Sequence, residues 1–386
     1  MTRIYLDNAA TSWPKPESVY TAVESAMRVN GSPAGRGAYQ DAVESLRLVE
    51  QTRSSIAQLI NASHRRNIAF TFNGTDALST AIFGLLKKGD HVVTSVVEHN
   101  SVLRPLKYLE STKEVTVTYV GCDDEGRLDD NDIIAAVRPE TRLICLIHVS
   151  NVTGTIQPIE NIKSKLRNTG NSRAIFLLDA AQSLGHLPID VQALGCDMLA
   201  APGHKGLLGP LGTGILYIND ETAESVNPLR YGGTGTEGSI EIQPTKVPGK
   251  YESGNLNLPG IAGLNAGINF TNSAEGQTAR ANWQELSQTM LSGIRDIPGI
   301  AIQGVPAMKG RIGVFSISIE GFDCHEASSI LDSNWSIQTR SGIHCAPMIH
   351  RAMDTQSGTL RISPGLFNTP DQIDVTLDAL SQLAKT

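Results

Sequence analysis

Apolar and polar positions follow three different rhythms along the chain. In the first, the opening through Asp7-Asn8-Ala9-Ala10-Thr11 runs into Trp13-Pro14-Lys15-Pro16, whose prolines forbid a helix, so the first residues read as an extended arm. A helical period covers about 17–28. A longer one over 41–61 places Val43, Leu46, Val49, Ile56, Leu59 and Ile60 on one apolar side, with an irregular glycine loop, Gly31 to Gly37, between the two.

The second rhythm begins at residue 68. Apolar runs of strand length at 68–72, 91–97, 142–149, 174–178 and 198–201 alternate with turns and helical patterns such as 76–86, which predicts a mostly parallel sheet covered on both faces. Several runs are followed by a residue capable of chemistry: Thr75, His99, Asn151, Asp179 with Gln182, and His204 with Lys205. Singly, each is equally a cap or a turn residue. In an open α/β sheet, however, ligands bind beyond the carboxyl ends of the strands, so these side chains are expected to converge on one crevice. Near residue 220 the alternation stops. Glycine-rich loops occupy 230–236 and 250–255, and a helix from 259 to 270 bridges to a second unit. Helix 283–294, strand 313–319, helix 324–332, a loop holding Cys345, strand 359–362 and helix 370–383 make that unit a small α+β domain.

Composition narrows the partners. With 32 Lys+Arg against 39 Asp+Glu the net charge of the 386 residues is -7, and no run of five basic residues occurs, which argues against nucleic acid or an anionic membrane. No apolar window is long enough to cross a bilayer and the start lacks a signal-peptide core, so a cytoplasmic protein is expected. The five cysteines are odd in number, widely spread and without a C-x-x-C pair, which fits neither a disulfide framework nor a zinc ribbon.

Lys205 stands among Gly203, Gly206, Gly209, Gly212 and Gly214, which free the backbone for positive φ and for close approach of a flat ligand. A desolvated lysine there would serve as nucleophile or base, whereas a surface-turn lysine would need none of those glycines. Asn73-Gly74-Thr75 joins a strand to a helix start, where amides and the positive dipole end suit a phosphate. Farther on, Cys345 lies beside His344 and five residues after Arg340, and positive neighbours favour a thiolate. His344, Cys345 and His350 lack a fourth ligand and the usual spacing, so no metal is expected. Arg361 interrupts an apolar strand, either as half of an ion pair or as a fork for a carboxylate.

Asp179-x-x-Gln182, Gly203-His204-Lys205, Arg340-Ser341-Gly342-Ile343-His344-Cys345-Ala346-Pro347 and Gly358-Thr359-x-Arg361-x-Ser363, with Glu98-His99-Asn100 and Ser150-Asn151-Val152-Thr153-Gly154, together resemble the cysteine desulfurases of the class V aminotransferase superfamily, second type. The resemblance implies the aspartate aminotransferase-like fold of type I pyridoxal-phosphate enzymes. In that fold a large domain with a mostly parallel seven-stranded sheet would span 15–264, and a small α+β domain carrying the cysteine loop would span 265–386 together with the arm 1–14. It also implies pyridoxal 5'-phosphate held covalently by Lys205, with Asp179 on the ring nitrogen, Gln182 on the ring hydroxyl, His99 against the ring face, and Gly74, Thr75 and His204 at the phosphate. Arg361, Asn151 and Arg340 would bind the substrate, and Cys345 would take sulfur from L-cysteine as a persulfide, releasing alanine. A homodimer and a sulfur-acceptor protein follow from the same resemblance, and iron–sulfur cluster assembly is one destination for the sulfur. Two positions depart from the pattern: Pro202 replaces a phosphate-binding serine, and Asn255 replaces a threonine that reaches the partner subunit's phosphate. Selenocysteine lyase or another class V enzyme is the nearest alternative, and a non-catalytic sulfur-carrier-binding scaffold is the alternative of another kind.

Overall fold

The computed structural model describes residues 3–168, 173–234 and 241–385. A seven-stranded sheet forms its centre, in the spatial order Ile68–Thr71, Gly214–Ile218, Met198–Pro202, Ile175–Asp179, Thr141–Ile147, His91–Ser95, Thr116–Val120. Only Gly214–Ile218 runs against its neighbours, and the other pairings are parallel. Alternate residues of each strand feed two cores. Ile144, Phe176, Leu178, Leu199 and Ile215 face one side, while Leu143, Leu177, Met198, Ala200 and Leu216 face the other. Helices cover both sides, which is why these strands read as unbroken apolar runs instead of alternating ones.

Four antiparallel strands, Arg340–Gly342, Thr359–Ile362, Phe315–Ile319 and Ile300–Ile302, make a second sheet. The helices Ala274–Arg295, Cys324–Trp335 and Pro370–Leu383 close a separate core over it. The N-terminal arm is stitched to this unit, since Ile4–Tyr5 pairs with Ile337–Gln338 and Asp7 bridges to Ser363. It then crosses to the large sheet, where Ser12 Oγ donates to the carbonyls of His204 and Lys205 at 3.0 and 3.1 Å. Among the described residues no helix is long and apolar enough to cross a membrane.

Several expectations change. The helix expected over 283–294 begins at Ala274, because Ser273 caps it with a side-chain bond to the Gly276 amide. The stretch expected to be a loop around Cys345 contains the strands Ile337–Gln338 and Arg340–Gly342 and the helix Pro347–Ala352. Their pairing partners lie far away in sequence, so no local period marks them. Helix Gln40–Leu59 buries Val49 and Ile56 as expected, but Val43 and Leu46 remain 54% and 42% exposed.

Candidate functional site

A cavity of about 210 Å³ opens beyond the carboxyl ends of the parallel strands, where it meets the second sheet. Ten of the expected residues line it: Gly74, Thr75, His99, Asn151, Asp179, Gln182, His204, Lys205, Arg340 and Arg361. Asn255 does not, lying instead in a different depression with Phe70, Arg230 and Ile261. Cys345 sits just outside the lining, half-buried, with Arg340 Nη2 at 3.5 Å from its sulfur.

Asp179 is the last residue of its strand and Lys205 follows the end of the adjacent one. Burial pushes the Asp179 carboxyl up to about 6, against a hydrogen bond from the Ala181 amide and the charge of Lys205. Burial, reinforced by Arg361, brings the Lys205 amine down to about 8. Of the glycines around Lys205, Gly212 is left-handed at φ 79°, whereas Gly203 and Gly206 act through space. A side chain at Gly206 would run into the Leu184 carbonyl and one at Gly203 into Thr213, whereas neither glycine is left-handed. At Gly74 an added Cβ would come within 3.1 Å of Pro202 Cδ, so Pro202 packs directly on the helix start.

His99 caps the helix Asn100–Thr112: its Nδ1 accepts from the Ser101 amide at 3.0 Å, which leaves the proton on Nε2. Burial holds it down at about 4, so the ring is neutral at ordinary pH. Ser101, which the sequence reading passed over, ties this corner together, with Oγ 2.9 Å from His99 Nδ1 and 2.7 Å from Thr75 Oγ1. Its signal was position, two residues after a histidine cap. His204 Nδ1 bonds Thr11 Oγ1 at 3.0 Å, and Gln182 Nε2 donates to the Ala9 carbonyl at 2.9 Å, so the arm sets both side chains. Glu98 belongs to the motif Glu98-His99-Asn100, but the sequence reading assigns it no role. It is fully buried behind the site, accepts from the Ile147 amide at 3.0 Å, and is pushed up to about 8 by burial.

Arg361 resolves the open alternative by being an ion-pair partner that keeps spare capacity. Its Nη2 meets Asp7 Oδ1 at 2.7 Å and its Nη1 donates to the Asn151 carbonyl at 3.0 Å, while Nε is buried without a partner. Arg340 stands directly opposite it on the neighbouring strand. Two facing cations cost free energy unless an anion lies between them, so this wall suits a carboxylate. At the other end, the Asp76 amide donates to the Asn73 cap at 2.9 Å, while the Gly74 and Thr75 amides have no intrahelical acceptor and together with the Thr75 hydroxyl suit a phosphate. The polar atoms left over, Arg361 Nε and Asn151 Oδ1, and the amine and carboxyl between the two ends match a flat cationic ring carrying a phosphate. The residues present therefore fit pyridoxal phosphate.

Comparison with known proteins agrees. The family model for aminotransferase class-V matches residues 4–376. A probable cysteine desulfurase of Methanothermobacter thermautotrophicus is 35% identical, over 99% of this chain and 94% of that one. One of Pyrococcus abyssi is 33% identical over the same shares. Among solved structures, the apo cysteine desulfurase of Thermococcus onnurineus NA1 superposes with a TM-score of 0.90 at 31% identity, covering 99% of this chain and 95% of that one. A cysteine desulfurase of Escherichia coli, solved as its S-sulfonic acid, gives 0.87 at 25% identity, again over 99% and 95%.

Proposed function

This chain belongs to the aminotransferase class-V family, and on that footing we propose that it is a pyridoxal-phosphate-dependent cysteine desulfurase, converting L-cysteine to L-alanine in the cytoplasm. The reading is supported above all by the convergence in one cavity of the Lys205 amine, the buried Asp179 carboxyl and two facing arginines, with the Cys345 thiol beside one of them.

Lys205 would bind the cofactor covalently, Asp179 would hold a proton on its ring nitrogen, and His99, Gln182, Gly74, Thr75 and His204 would hold its ring and phosphate. When bound, the cofactor withdraws electrons from the bonds around the substrate's α-carbon. Arg361, with Arg340 and Asn151, fixes the substrate carboxylate. The Lys205 amine, brought down to about 8, would move the substrate's α-proton, acting as both acceptor and donor. The Cys345 thiolate then bonds to the substrate sulfur as the carbon–sulfur bond breaks. The carbon takes up a proton and becomes the methyl group of alanine, and the persulfide on Cys345 passes its outer sulfur to an acceptor protein. The working unit is a homodimer in which Asn255 of each chain completes the other's phosphate cup. Within each chain, residues 15–264 form the cofactor domain, and 265–386 with the arm 1–14 form the unit that carries the cysteine.

Purified protein loaded with cofactor is incubated with L-cysteine and alanine is measured with and without a thiol reductant. Many turnovers with reductant and about one without it are expected, with one added sulfur found on Cys345 by mass spectrometry. Cys345→Ala should keep the cofactor spectrum and lose most alanine release. Desulfuration of cysteine by that variant at the wild-type rate would make a selenocysteine lyase or another elimination enzyme the better reading.

A further inference from the structure

His344 and Cys345 both adopt left-handed backbone, with φ of 48° and 59°. Residues with a side chain stay in that region only where their surroundings hold them there. The side chains are held by Thr359 Oγ1, 3.0 Å from His344 Nε2, and by Arg340 Nη2, 3.5 Å from the Cys345 sulfur, and three further bonds hold the backbone of this turn. The Ala346 amide closes the turn on the Ile343 carbonyl at 2.9 Å, the Asn100 amide donates to the Cys345 carbonyl at 2.7 Å, and Asn151 Nδ2 donates to the His344 carbonyl at 2.7 Å. Of the three bonds to the backbone, the Asn151 bond is the one made by a side chain. Because a carbonyl must face the NH2 group, it also fixes the amide's orientation, which leaves Oδ1 buried without a partner.

The turn that carries Asn151 is itself clamped from the second domain. Arg311 donates to the carbonyls of Thr153, Val314 and Val305 at 2.8, 2.7 and 2.7 Å. Ser316 Oγ bonds the Val152 carbonyl at 2.7 Å. Gly154, at φ 73°, lies so close to this domain that an added Cβ would come within 2.6 Å of the Val314 carbonyl. Asn151 therefore stands on a fixed base and grips a strained segment.

We propose that Asn151 is a positioning residue for the sulfur acceptor: its amide, braced by Arg311 and Ser316, pins the His344 carbonyl and thereby sets where the Cys345 thiol stands relative to the cavity. The same residue offers its backbone carbonyl to Arg361. The arginine for the substrate carboxylate and the thiol for its sulfur are thus referenced to one point. The inference rests on the reading of Cys345 as acceptor.

The test is the rate at which iodoacetamide alkylates Cys345 in the holoenzyme, followed site by site with mass spectrometry, beside single-turnover alanine formation. Asn151→Asp keeps the size but cannot donate, and Asn151→Ala removes the grip. Both should speed alkylation at least fivefold and slow alanine formation at least tenfold. Ser316→Ala, which touches no part of the cavity, should move both rates in the same directions by a smaller factor and leave the cysteine concentration for half-maximal spectral change within twofold. Unchanged alkylation in the Asn151 variants overturns the proposal, whatever their activity. So does slowed turnover whose only accompaniment is weaker cysteine binding. If Cys345→Ala desulfurates normally, the acceptor reading fails, yet the alkylation rates still report whether Asn151 holds the turn.

Discussion

Asp179 ends its strand and Lys205 follows the end of the adjacent one, and burial draws their ionisation toward each other, the amine to about 8 and the carboxyl to about 6. An amine is nucleophilic only when neutral, so covalent uptake of pyridoxal phosphate by the apoprotein should accelerate with pH and level off above about 8. A stopped-flow absorbance series would refute this if the rate kept rising through the range of an ordinary lysine, near 10.4. Glu98 carries the opposite sign. Its folded-state value of about 8 lies above the ordinary 4.5, so the folded protein binds the extra proton between those pH values and loses stability as pH rises through them. Glu98→Gln keeps an acceptor for the Ile147 amide and removes the titration. Its melting temperature should match wild type near pH 5 and exceed it increasingly toward pH 8, the stability difference growing by at most about 1.4 kcal/mol per pH unit. A constant difference across that range would assign Glu98 a packing role alone.

At the scale of elements, the apolar runs predicted five of the seven central strands, because a sheet covered on both faces leaves no polar alternation to misread, and missed Gly214–Ile218 and the more exposed edge strand Thr116–Val120. Helix Gln40–Leu59 was read by the same logic, and the polar residue that matters most in it was overlooked. Arg53 is fully buried, with Nη1 and Nη2 on the Glu252 carboxylate at 2.8 and 3.1 Å and Nη1 also bonded to the Ile68 carbonyl. Glu252 in turn accepts from the Phe70 amide at 2.6 Å. The pair joins a helix, a strand and the loop leading to Asn255. Arg53→Ala leaves a buried carboxylate uncompensated and should cost about 3–5 kcal/mol. Urea unfolding should show a lower midpoint with the slope preserved; a loss under 1 kcal/mol would mean that water reaches Glu252 and the pair is not a keystone.

At the scale of the whole molecule, the exposed apolar face of that helix gains a purpose from the proposed homodimer. Val43 and Leu46 belong to a regular apolar stripe, yet a single chain leaves them uncovered, beside Tyr39 at 53% exposure. Leu46→Lys should shift sedimentation from dimer toward monomer and weaken cofactor retention. A variant that remains dimeric at micromolar concentration would place the contact elsewhere. Local pattern alone marked five of the seven central strands, the crevice at the strand ends and the residues Thr75, His99, Asp179, Gln182 and Lys205 that line it, because period and turn chemistry act within a few residues of each position. The motif around Cys345 was legible as chemistry but not as conformation. Its two left-handed residues, the strand that sets Arg340 against Arg361 and the grip of Asn151 depend on partners as many as 193 residues away. The same holds for Asp7, which meets Arg361 across 354 residues, and for Ser101, whose hydroxyl joins Thr75 to His99. Such contacts leave no period in the chain, since hydrogen bonds and ion pairs between distant segments form only after the two cores have packed and fixed their register.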